Sequence, residues 1–178
     1  MAEWNVLFCK IMTLLTNLKE KKKLFLKRQN IFYLFIIFII FFLDRYSKNT
    51  VLKNFDEKSH YINNFINFDL IWNIGIGFGF LSTDSNIFYN LITIIIGIVI
   101  TILVFISVKS EKLDKLAYSI IIGGAFGNFY DRLVYNAVPD FIDLHYNNFH
   151  WFTFNLADIF ITIGIFIFIF KEFIYKKL

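Results

Sequence analysis

Residues 116–134 read LAYSIIIGGAFGNFYDRLV, and the two ends of that stretch ask for different surroundings. Its first part suits a hydrocarbon interior. Gly123 and Gly127 stand at a small-xxx-small spacing, which lets another helix approach closely. Beyond them Asn128 and Asp131 lie three apart on one helical face, with Arg132 next to Asp131. An ionisable side chain within a span costs at least about 2.5 kcal/mol on insertion scales, so each one is a candidate for a partner or a function. The plainer reading is that Asp131 and Arg132 neutralise each other or neighbouring backbone.

Outward from this stretch, other apolar runs approach the roughly 20 residues that a hydrocarbon core about 30 Å thick requires. They run from Ile31 to Leu43, carried to Asn49 by a polar tail; from Asn86 to Val108; and from Phe154 to Phe170. With 57% hydrophobic and 21% aromatic residues and a mean hydropathy of +0.59, the chain exceeds what a soluble core needs. The expected fold is an all-α integral membrane bundle of four transmembrane helices (about 31–49, 86–108, 116–134 and 154–170) with a small β-rich extracytoplasmic surface segment. Residues 30–174 form the membrane domain, preceded by a basic cytoplasmic extension (1–29) and followed by a cytoplasmic tail (175–178).

Basic residues orient the bundle, because Lys and Arg near short loops are retained in the cytoplasm. Lys19, Lys21, Lys22, Lys23, Lys27 and Arg28 precede the first span; Lys109, Lys112 and Lys115 fill the second loop; Lys171, Lys176 and Lys177 follow the last. Both termini are therefore expected in the cytoplasm. The outer side receives Thr50–Ser85, where alternation over His60–Ile76 suggests short strands, and Tyr135–Thr153. The first span runs into Asp44, Arg45 and Lys48 without a small-residue cleavage site, so it reads as uncleaved.

Composition also excludes. The net charge of +4 sits beside apolar segments rather than along a polar face, which fits anionic membrane lipid and not nucleic acid. Cys9 is the single cysteine, and no Cys/His cluster has zinc spacing, so neither disulfides nor a metal are expected. Asn73 to Gly79 is Gly-rich but lacks the lysine of a phosphate loop; a tight turn or close backbone approach to a ligand suits it better.

In Phe154-Asn155-Leu156-Ala157-Asp158, nothing on the same span neutralises Asp158. One role for it is a helix N-terminal acid. The other needs a partner from Asp140, Asp143 or Asp131: two carboxylates held together cannot both ionise cheaply, so the pair shares a proton near neutral pH and supplies an acid and a base at once. Asp143 reads as facing water, and His145 and His150 as interfacial residues without a role. Asp44 and Lys48, at i and i+4, are spaced to pair.

Five motifs in order, Asp44-x-x-Ser47-Lys48, Asn73-x-Gly75 with Phe78 and Leu81, Gly127-Asn128-x-x-Asp131-Arg132, Val138-Pro139-Asp140-Phe141 and Phe154-Asn155-Leu156-Ala157-Asp158, resemble those of the lipoprotein signal peptidases, the bacterial type II signal peptidases. The resemblance implies a four-span aspartic endopeptidase of the bacterial inner (cytoplasmic) membrane that removes signal peptides from diacylglyceryl-modified prolipoproteins, cutting before the lipidated Cys near the outer face. It implies Asp140 and Asp158 as the catalytic pair, with Asp44, Lys48, Asn73, Gly75, Asn128, Asp131, Arg132 and Asn155 lining or supporting the site, no metal or cofactor, and a monomer. Where the family usually has Gly four residues before the first catalytic Asp, this chain has Asn136, which also tolerates positive φ. Two other classes carry weight: a proton-coupled transporter using Asp131, Arg132 and Asp158, and a non-catalytic assembly subunit docking through Gly123 and Gly127.

Overall fold

The computed structural model of the chain describes Met12, Thr13, Thr16 and residues 27–55, 60–75, 86–147 and 149–175. Most of the basic extension with Cys9, the motif residues Gly77, Phe78, Gly79 and Leu81, and tail residues 176–178 lie outside the described residues.

The described chain is mostly helical with a small antiparallel sheet. Its elements in order are α1 (Arg28–Asn54), β1 (His60–Tyr61), β2 (Ile66–Asn73), α2 (Asn86–Lys109), α3 (Lys112–Tyr135), β3 (Val138–Tyr146), β4 (Phe149–Phe154) and α4 (Leu156–Tyr175). The strands form one sheet in the order β1-β2-β3-β4. Each expected span contains a helix, but the ends differ. Helix α1 continues to Asn54 because Asp44, Arg45 and Lys48 are satisfied inside the bundle and need no exit to water. Helix α4 starts at Leu156, since Phe149–Phe154 pairs as a strand. Strands β3 and β4 give no alternating signal: β3 is covered on both faces along most of its length, as in a sheet packed on two sides.

The side chains are distributed inside out relative to a water-soluble bundle. Lys48, Asp44, Asp131 and Asn155 are among the largest fully buried side chains, whereas Phe35, Phe42, Ile94, Phe105, Phe166 and Phe170 are exposed. An apolar exterior of this extent suits lipid. By length and composition, two helices qualify outright for crossing a membrane: Arg28–Asn54, with mean hydropathy 1.6, and Tyr89–Lys109, with 3.1.

Helix α3 is the centre of the bundle, contacting α1, α2 and α4. Its glycines permit this. Gly123 abuts Ile40 of α1 and Gly127 abuts the Asp44 carboxylate, while a Cβ on Gly124 would stand 2.5 Å from the Ala157 carbonyl oxygen of α4. Alanine at Gly124 gains about 1 kcal/mol of helix propensity, but backbone cannot yield as a side-chain tip does, and overpacking costs about 1–3 kcal/mol. Gly124→Ala is therefore expected to lower the melting temperature in detergent; an unchanged or higher value would show that α3 and α4 do not approach this closely.

Polar contacts gather opposite helix ends. Tyr33 Oη donates to the Lys112 carbonyl at 3.0 Å, Lys115 Nζ to Asn30 Oδ1 at 2.6 Å and Lys171 Nζ to Asp114 Oδ1 at 2.7 Å. The starts of α1 and α3 thus share one basic end with the finishes of α2 and α4. The sheet lies at the other end, reached from α3 through Asn136, whose φ of 54° puts it in the left-handed region; Asn accepts that conformation, and the turn survives without glycine.

Candidate active site

Two turns bring carboxylates from opposite sides of the sheet end into one place. After Asn136 the chain enters β3, which pairs antiparallel with β2 so that Asn73 lies opposite Val138 and Ile71 opposite Asp140. Asn73 Nδ2 donates to Asp140 Oδ2 at 2.8 Å, and its own Oδ1 accepts from the Gly75 amide at 2.8 Å. Gly75 in turn gives its carbonyl to Arg132 Nη2. At the start of α4, Asn155 and Asp158 form a reciprocal cap: Asn155 Oδ1 accepts from the Asp158 amide at 3.2 Å and Asp158 Oδ2 from the Asn155 amide at 3.1 Å. This is the capping-box arrangement, so the helix-terminal role of Asp158 is real. It leaves one oxygen free for more: Asp158 Oδ1 accepts from Asn128 Nδ2 at 2.8 Å. Asn155 Nδ2 donates to Asp140 Oδ1 at 2.6 Å, so one residue holds both acids, Asp140 through its side chain and Asp158 through its backbone N–H.

Asp140 and Asp158 line the same cavity of about 320 Å³, together with Asn73, Asn128, Arg132 and Asn155; Ile96, Ile161 and Ile165 supply apolar wall. Asp140 is 2% exposed. Burial first, and then the neighbouring charge of Asp158, pushes its carboxyl up to about 7, against the opposing hydrogen bonds from Asn73 and Asn155. A group near neutrality beside a second carboxylate is equipped to hold and move one proton.

Behind the cavity, α1 and α3 share a closed ionic cluster. Lys48 Nζ contacts Asp44 Oδ2 at 3.0 Å, Asp131 Oδ2 at 2.7 Å and Asn128 Oδ1 at 2.8 Å. Arg45 joins the same two carboxylates, at 3.1 Å to Asp44 and 2.5 Å to Asp131. Asp44 also caps α4, its Oδ1 accepting from the Ala157 amide at 3.1 Å. The spacing reading of Asp44 with Lys48 and of Asn128 with Asp131 therefore holds. Asp131 and Arg132 do not neutralise each other, because successive residues point in different directions on a helix: Asp131 faces α1, while Arg132 meets the other expectation by donating to backbone, at the Gly75 carbonyl, and lies over the Tyr89 ring. Asp143 is also corrected. It is buried, away from water and from the Asp140 cavity, with its Oδ2 at 2.6 Å from His150 Nδ1 and 3.5 Å from His145 Nδ1. His145, read as interfacial, is buried too. Of the four aspartates considered, only Asp140 and Asp158 meet in the cavity. Arg45, Ala157 and Tyr89 were not singled out from sequence; the Arg45 position beside Asp44, within a span, was the available signal.

A family model described as signal peptidase (SPase) II matches residues 36–174. The lipoprotein signal peptidase of Pelagibacter ubique (strain HTCC1062) is 50% identical to this chain over 147 residues, covering 81% of this chain and 89% of that one. The lipoprotein signal peptidase of Yersinia pseudotuberculosis serotype O:1b (strain IP 31758) is 39% identical over 146 residues, 80% of this chain and 86% of its own. A solved bacterial membrane enzyme superposes with a TM-score of 0.66 at 29% identity, covering 79% of this chain and 87% of that one.

Proposed function

The chain belongs to the signal peptidase II family, the membrane aspartic endopeptidases that cleave signal peptides from prolipoproteins, and on that premise we propose that Asp140 and Asp158 are its catalytic pair. The observation that carries this is their meeting in one cavity, each oriented by asparagine amides and one of them poised near neutrality. The ionised member takes a proton from a water as its oxygen attacks the scissile carbonyl carbon. The protonated member gives its proton to the carbonyl oxygen. Collapse of the tetrahedral diol breaks the C–N bond: the first aspartate gives its proton to the leaving amine, and one diol hydroxyl returns a proton to the second aspartate as the C=O bond re-forms, which restores the starting pair. Arg132 fixes the Gly75 turn, and Lys48, Asp44 and Asp131 support the wall through Asn128.

All four helices span in this reading. The basic end, with Lys109, Lys112, Lys115 and Lys171, faces the cytoplasm with both termini, and the sheet and the acid pair face outwards. The chain works as a monomer in the bacterial inner membrane. Its substrate is a diacylglyceryl-modified prolipoprotein, whose acyl chains stay in lipid while the peptide crosses the apolar wall of Ile96, Ile161 and Ile165 and is cut before the lipidated Cys. Purified protein in detergent is expected to cut a lipid-modified prolipoprotein and to leave its unmodified precursor intact; equal cleavage of both would remove the lipid from the recognition.

A further inference from the structure

Asp143, His145 and His150 gather on the sheet outside the cavity, and the peptidase reading makes no use of them. Their spacing in the chain matches no common metal pattern, which is why the sequence suggested no metal; strand pairing supplies what spacing lacks. Asp143 and His145 lie two apart on β3, and antiparallel register sets His150 of β4 opposite His145. One ligand atom from each falls within 4.8 Å of the others. His150 Nδ1 is 2.6 Å from Asp143 Oδ2, and the two imidazoles stack with centroids 5.3 Å apart.

A second observation is independent of that grouping. His145 is 5% exposed, and its Nδ1 has no hydrogen-bond partner although it faces Asp143 Oδ2 across 3.5 Å. A buried ring nitrogen left without a bond is costly, and a metal ion would use its lone pair. Zinc binds imidazole nitrogen and carboxylate oxygen at about 2.0–2.2 Å, so ligand atoms around a tetrahedral ion stand about 3.4 Å apart. The His145–Asp143 separation already has that value. The His150–Asp143 contact must open by under about 1 Å, which the half-exposed His150 side chain can provide by turning.

We infer that Asp143, His145 and His150 form a binding site for a divalent transition-metal ion of the zinc class, with two nitrogens and one carboxylate oxygen from two adjacent strands and water in the remaining position. An ion held there ties β4 to β3, the strand that also carries Asp140.

Full-length, tag-free protein in detergent is titrated with cobalt(II), followed by its visible absorption, and then challenged with zinc(II). One saturable equivalent of cobalt, displaced by zinc, is expected. His150→Gln, an exposed change outside the cavity, should weaken cobalt binding by about tenfold or more while prolipoprotein cleavage continues. Cleavage by the metal-binding-deficient variant keeps this test separate from the assignment of the acid pair. Absence of saturable binding in the wild type, or equal affinity in His150→Gln, overturns the inference.

Discussion

Replacing either Asp140 or Asp158 by asparagine is expected to lower kcat for prolipoprotein cleavage by at least about a thousandfold while leaving folding and membrane insertion intact. Each change removes one half of a proton exchange in which both halves are needed, and general acid–base steps alone contribute about 10²–10⁴. The two losses should not add, because after the first the second acid has no partner. Asp143→Asn makes the contrasting control: it stands outside the cavity, so its activity should stay within about an order of magnitude of wild type. Turnover persisting in Asp140→Asn would remove that residue from the pair. The pH dependence follows from the same site. With the Asp140 carboxyl pushed up to about 7 by burial and by the Asp158 charge, the shared proton is present below neutrality and lost above it. The rate should fall on the alkaline side with an apparent pKa near 7, by about tenfold per pH unit beyond it. Stability moves in the same sense. Because the folded carboxyl holds its proton to higher pH than the unfolded one, whose ordinary value is 3.8, this group's contribution is full below the unfolded value and declines as pH rises towards 7. Asp140→Asn should flatten that slope in melting experiments.

What could be read from the chain alone divides along a physical line. Helices of lipid-facing residues announce themselves by run length, so each apolar stretch was visible; the ends were not, since a helix can continue through charged residues once those residues find each other. Lys48, which looked like part of a polar tail on the first span, proves to be wholly buried. Local periodicity was reliable where it concerned one helical face, as with Asp44 and Lys48 or Asn128 and Asp131. It failed for Asp131 and Arg132, because adjacency in sequence is not adjacency on a helix. Asp143 was misread for a related reason. A strand covered on both faces offers no alternation from which to tell inside from outside, and β3 is such a strand. The residues alone narrowed the second acid to three candidates. Choosing Asp140 needed either the family resemblance or the pairing of β3 with both β2 and β4, at whose ends Asn73 and Asn155 reach it. Asn136 shows a mixed case: the family resemblance, with Gly at that position, called for the turn, and the tolerance of Asn for positive φ kept the left-handed conformation open to this chain.

Lys48→Met is expected to be the most destabilising single change in the bundle. Asp44 and Asp131 bring two negative charges, Lys48 and Arg45 two positive ones, and all four residues are buried. Removing one partner of a buried ionic group leaves an uncompensated charge and costs about 3–5 kcal/mol, a large share of the stability of a small domain. The protein should melt far below wild type or fail to accumulate. Adding Asp131→Asn restores the charge balance, so Lys48→Met/Asp131→Asn should recover at least about half of that loss. If the double variant melts no higher than the single one, charge balance is not what Lys48 contributes. Activity is expected to separate from stability in the rescued protein. An ammonium has three donors and no acceptor, and Lys48 uses all three on Asp44, Asp131 and Asn128. Asn128 must therefore turn its oxygen towards Lys48 and its amide nitrogen towards Asp158. Without the lysine, the Asn128 oxygen loses the donor that fixes it, and the amide is held from the Asp158 side alone. The rescued variant should fold yet cut more slowly by about tenfold or more, with the loss in kcat rather than in KM, because the lysine acts through Asn128 on the acid pair and not on the substrate.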